Sequence, residues 1–162
     1  MSARPSELSC TQRLRSMAIG AIGTTVLLAA LGCSATDDKV PANLVGYNHT
    51  SLNIDDFTVD GYGVASVRPH TNSGFVCCVS VPRRWREGLT VKVKWSEGDM
   101  RASAHEYVSH EKVVVVPKYN EDDTGGQFAV HFFPGEDIKV LVTRYLPGHA
   151  RYPYPSPSKT MK

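Results

Sequence analysis

Residues 89–95 alternate strictly, with Leu89, Val91, Val93 and Trp95 on one parity and Thr90, Lys92 and Lys94 on the other. Side chains on an extended strand point to opposite faces in turn, so this run predicts a strand with one dry and one wet face. Short apolar or β-branched runs recur at 44–50, 56–62, 75–81, 111–117, 127–133 and 138–145. Turn-forming segments separate them at 82–88, 96–99, 120–126 and Pro134-Gly135. The stretch 99–109 lacks a sustained 3.6-residue apolar stripe, so no helix is predicted in the later chain. About seven strands joined by short links predict an all-β fold, a small antiparallel β-sandwich over residues 44–146. The last segment, 147–162, carries four prolines and no apolar period. It is expected to lie extended, with Tyr152 and Tyr154 docking on the sheet.

The first 43 residues follow another logic. Arg4, Arg13 and Arg15 face only Glu7, and an uncharged run, MAIGAIGTTVLLAALG, fills 17–32. Such a run is too short and too rich in Gly, Ala and Thr for a stable membrane span of about 20 residues. A basic start, a short apolar stretch and small residues before a cut point predict a signal peptide over 1–32. Ala30-Leu31-Gly32-Cys33 resembles the lipobox of bacterial lipoproteins, which implies that Cys33 becomes the acylated first residue of the mature chain. Leu31 stands one place later than in the usual order. Residue 34 is Ser and not Asp, which by the same resemblance implies the outer membrane, with the protein facing the periplasm. Residues 33–43 read as a lipidated polar tether.

Processing changes the charge. The whole chain has a formal net charge of +2. Removing 1–32 leaves acids and bases equal, so the mature chain lacks the positive field that a nucleic-acid partner requires. The remaining thiols, Cys77 and Cys78, are adjacent on a predicted strand. Opposite side-chain directions make at least one of them a small core hydrophobe, while the oxidising compartment leaves a vicinal or intermolecular disulfide as the alternative. The six histidines, at 49, 70, 105, 110, 131 and 149, show no ligand-pair spacing. They are read as solvated surface groups, and neither a metal nor another cofactor is expected. No nucleophile elbow, phosphate loop or paired-carboxylate signature is present, so the chain is not read as an enzyme.

The most concentrated recognition chemistry is Pro82-Arg83-Arg84-Trp85-Arg86-Glu87-Gly88. Arginine and tryptophan dominate interface hot spots because they combine contact area with charge-assisted hydrogen bonds. Arg83, Arg84, Trp85 and Arg86, with Tyr62 in addition, are therefore the candidate partner-binding residues. The structural alternative has Trp85 packing beneath the loop with an arginine stacked on it or paired to Glu87.

The block GFVCCVSVPRRWREGLTVKVKW (74–95), preceded by Asn48-His49-Thr50 and followed by Pro147-Gly148-His149, resembles a family of small Proteobacterial lipoproteins catalogued as a domain of unknown function. That resemblance implies no established activity. Genes of the family often lie near type VI secretion components and phospholipase-type effectors, which implies an immunity or accessory role. The expectation is a membrane-anchored lipoprotein that binds another protein, a lipase-type effector. The alternative is an envelope-maintenance lipoprotein bound to an outer-membrane or secretion-apparatus component.

Overall fold

The structure is a computed structural model, and it describes residues 38–99, 101 and 106–157. The expected signal peptide, Cys33 and the first part of the expected tether lie outside the described residues, as does His105. Eight strands are described: β1 (Lys39–Asn48), β2 (Asn53–Val59), β3 (Tyr62–Val67), β4 (Val76–Pro82), β5 (Thr90–Gly98), β6 (Tyr107–Val115), β7 (Gln127–Phe133) and β8 (Asp137–Thr143). They form two four-stranded sheets, ordered β4-β1-β7-β8 and β3-β2-β5-β6. The fold is all-β, a sandwich. Its pairings are antiparallel except that of β1 with β7, which run parallel with Tyr47 opposite His131. Among the described residues no helix is long and apolar enough to cross a membrane.

Several boundaries differ from the sequence reading, among them the end of β5, which runs to Gly98 through the turn expected at 96–99. β1 starts at Lys39, so residues 39–43, expected in the tether, are strand paired with β4. Residues 56–62, expected as a single strand, turn back at Asp60-Gly61 and feed β3. Both turn residues have positive φ, 50° and 89°, the tight-hairpin geometry that an Asp-Gly pair favours. β6 starts at Tyr107, inside the stretch where the sequence shows no regular period.

Between the sheets, Leu44, Phe128, Val130 and Phe132 meet Ile54, Phe57, Val93 and Trp95. Fully burying a side chain such as Phe57 or Phe132 stabilises the fold by about 1.5–3 kcal/mol. Gly46 is required here, because a Cβ on it would stand 2.6 Å from Cε1 of Phe57. The outer face of the first sheet is also dry. Val45, Tyr47, Ala129 and Leu141 form a second cluster with Tyr152, flanked by Tyr145 and Tyr154. The C-terminal segment thus docks on the sheet through its tyrosines, as the sequence suggests. A strand covered on both faces has no solvent-facing parity, and in 127–133 the polar Gln127 and His131 are buried with the rest.

Candidate functional site

The proposed contact residues gather at one end of the sandwich. The loop that follows β4 carries Arg83 and leads into β5 at Thr90; beside it the β2–β3 hairpin is tied down where the Asp60 N–H donates to the Lys92 carbonyl, 3.0 Å. Tyr62 opens β3 at this end and is 48% exposed. The loop divides its residues between two tasks. The Arg83 N–H donates to the Asp38 carbonyl at 2.7 Å, and its Nε pairs with the Asp38 carboxylate at 2.8 Å. The hydrogen bond to Asp38 raises the Arg83 pKa further above its ordinary value. The Trp85 indole N–H donates to the Val116 carbonyl at 3.0 Å, and its ring packs against the core. Arg83 and Trp85 therefore hold the loop in place. Arg84 lies 3.9 Å from Glu121 with 87% of its side chain exposed, and Arg86 is exposed.

The cysteines correct the core reading. Cys77 is exposed and Cys78 half-buried. They sit in the irregular stretch of the β1–β4 pairing, between Val76 opposite Leu44 and Val79 opposite Ala42. Strand parity does not hold there. A vicinal disulfide and a cis peptide bond join them, next to the exposed ring of Phe75.

The histidines supply the larger correction. His49 and His131 are not solvated; they are 2% and 0% exposed. Both sit on the outer face of the first sheet, where the C-terminal segment covers His131 and His49 stacks between His131 and Phe133. His49 Nε2 lies 2.8 Å from His131 Nδ1, and His131 Nε2 lies 2.7 Å from the Tyr152 hydroxyl. The Tyr152 ring meets that of Tyr47 edge-on, centroids 6.3 Å apart. Tyr47 donates to Gln127 Oε1 at 3.0 Å, and Gln127 Nε2 donates to the Tyr145 carbonyl at 2.6 Å. Ring stacking runs alongside, His131 on Tyr47 at 4.7 Å and His49 on Phe133 at 4.3 Å.

At the Gln127 end the direction is fixed: a carbonyl can only accept, so Gln127 donates there with Nε2 and accepts from Tyr47 with Oε1. A neutral His131 carries one N–H, so one of its nitrogens donates and the other accepts, between His49 and Tyr152. His49 Nδ1 is a buried atom without a hydrogen-bond partner among the described residues. Burial, and then the charge of His49, pushes the His131 pKa down to about 3. Burial, and then His70, lowers that of His49. Burial raises the Tyr152 pKa.

Two short sequence motifs build this arrangement. In Asn48-His49-Thr50, the Asn48 amide donates to the Leu52 carbonyl at 2.8 Å and the Val67 carbonyl at 3.0 Å. Its oxygen accepts from the Thr50 N–H and hydroxyl, which fixes His49 at the end of β1. In Pro147-Gly148-His149, Gly148 has a φ of 99° and His149 stacks on Tyr145 at 4.2 Å. The turn closes as the Tyr152 N–H donates to the His149 carbonyl, 2.9 Å. That turn delivers Tyr152 to His131. Sequence spacing could not find the pair, because two histidines 82 positions apart carry no local signal.

His110 occupies a separate site, stacked on Trp95 at 4.9 Å with Glu97 and Glu136 on its two nitrogens at 3.4 and 3.6 Å. The carboxylates flank the ring and do not converge. Among the described residues no group of three or more histidine, cysteine or acidic side chains is arranged to hold a metal ion. A groove of about 490 Å³ runs beside Lys118, Asp122, Tyr145 and Tyr154, with Arg144 and Arg151 at its edge.

No curated protein and no solved structure matches the chain. Residues 47–140, more than half of the sequence, match the model of a family described as protein of unknown function. The matched span begins at Tyr47 and includes the Asn48 anchor, both buried histidines, the paired cysteines and the arginine loop; by that match the chain belongs to the DUF3304 family.

Proposed function

We propose that this chain is a lipoprotein acylated at Cys33, seated on the outer membrane and facing the periplasm, that works by binding another protein. Its role in this reading is that of an immunity or accessory protein for a type VI secretion effector of the lipase type. One observation carries the contact site: Tyr62, Arg84 and Arg86 are exposed at the end of the sandwich where Asp38 enters it, five residues after Cys33 in the sequence. A partner working at the lipid surface would meet that end first. Arg83 and Trp85 support the reading by fixing the loop in advance, which lowers the ordering cost of binding. The mechanism is steric. The arginine loop and the hairpin cover the mouth of the effector's active site, over a total buried area of about 1,200–2,000 Å².

The purified chain beginning at Cys33 should bind the effector encoded next to it. Arg84→Ala with Arg86→Ala should weaken that binding by at least about tenfold, as loss of arginine hot spots does, without shifting the thermal unfolding midpoint. Calorimetric titration reads the first and circular dichroism the second. Failure to bind, together with cells that survive the effector after deletion of the gene, overturns the immunity role. Cell fractionation and mass spectrometry of Cys33→Ser test the anchor separately.

A further inference from the structure

The segment from Tyr145 to Tyr154 belongs to no strand. Its backbone bonds close turns within itself, His149 N–H to the Leu146 carbonyl and Tyr152 N–H to the His149 carbonyl. What holds it to the sheet is the side-chain chain already traced, the small cluster around Tyr152, and ring contacts of Tyr154 with His131 and Phe133 at 4.8 and 6.0 Å. By contrast the inter-sheet core is several times larger and is tied by full strand ladders. The two layers therefore differ in what would release them.

We propose that residues 145–154 form a strap, latched by the His49–His131–Tyr152 chain, that lifts as a unit when acid protonates His131 while the sandwich beneath stays folded. The proton inventory is the reason. In the latched state both His131 nitrogens are engaged, and His49 Nδ1 is the one ring nitrogen of the pair without a partner, with the His49 ring stacked on Phe133. A protonated His131 donates from both nitrogens, so His49 and Tyr152 must both accept or Tyr152 must leave. Lifting the strap frees His131 to take a proton.

The charged and titratable groups around the pair come from several elements. On β8, Lys139 stands opposite His131 in register and is paired with Asp137 at 2.9 Å. From the loop after β3, His70 bears on His49. From β1 and the strap come the hydroxyls of Tyr47, Tyr152 and Tyr154, neutral at these pH values. Arg144, Arg151 and His149 gather around Tyr145 at the strap's start. The His131 pKa is about 3 in the latched state and returns toward 6.5 once exposed to water. Opening therefore takes up a proton, and each pH unit below 6.5 favours the lifted form by about tenfold. The face uncovered holds Val45, Tyr47, Ala129 and Leu141.

Hydrogen exchange followed by mass spectrometry between pH 7 and 4, corrected for intrinsic rates, tests this on the folded chain. Protection of peptides within 145–154 should fall by about tenfold per pH unit below 6.5, while peptides of β5 and β7 stay protected. The double variant His49→Gln with His131→Gln should remove that pH dependence, and His149→Gln should leave it intact. Tyr152→Phe, which deletes one hydroxyl, should loosen the strap already at pH 7, and it decides the matter if the double variant fails to fold. Simultaneous loss of protection in strap and strands, a pH dependence that survives the double substitution, or a Tyr152→Phe strap as protected as the native one overturns the proposal.

Discussion

Asn48 does more for this fold than any other polar side chain, with its amide spanning two carbonyls of different segments and its oxygen holding Thr50. It is fully buried, so each partner left behind would be stranded away from water. Asn48→Ala should destabilise the chain by about 3 kcal/mol, the cost of several unsatisfied buried groups, measured as a lower urea midpoint. Asn48→Asp should do no better, because a carboxylate cannot donate to Leu52 and Val67. Trp85 shows the same economy from the other side: the residue that looks most like a binding anchor has its indole N–H committed to Val116 and its ring to the core. An arginine-tryptophan loop is legible in sequence, but which of its side chains turn inward is not. That choice depends on the Val116 carbonyl and Asp38, both far from the loop in sequence.

At the scale of elements, the β2–β3 hairpin shows turn chemistry at work. Asp60 and Gly61 both sit at positive φ, and the Asp60 carboxylate accepts from the Lys92 N–H at 2.9 Å. Gly61→Val should cost about 1–3 kcal/mol, because a β-branched side chain is strained at that φ. Thermal unfolding by circular dichroism reads the loss, and the exposure of Tyr62 at the hairpin's start makes partner binding a second readout. The strand 127–133 was legible to the residue, its run being apolar apart from Gln127 and His131 and bounded by turns. The start of β1 was not, because Lys39 to Asn43 mixes polar and apolar positions and becomes strand through its pairing with β4.

For the whole molecule, the buried histidines set the acid side of stability. Their pKa values are depressed in the folded chain, so their contribution is complete above pH 6.5 and is lost as pH falls toward 3. A chain ending at Arg144 keeps both sheets but lacks the Tyr152 contact and the cover over His131. Its urea midpoint should be lower than that of the full chain at pH 7 and nearly the same at pH 7 and pH 5, whereas the full chain should lose stability between those values. An equally steep loss in the shortened chain would place the acid sensitivity elsewhere.

Strand parity, turn residues and the absence of a helical period are local properties, and from them the sequence alone determined an all-β chain, most of its strands and the docking of its C-terminal tyrosines. The tertiary structure decided the rest. Only the parallel pairing of β1 with β7 sets Tyr47 beside His131, and the return of Tyr152 and Tyr154 across that face covers His131. Burial of a polar side chain is set by what covers it, and here the covering residues come from the far end of the chain.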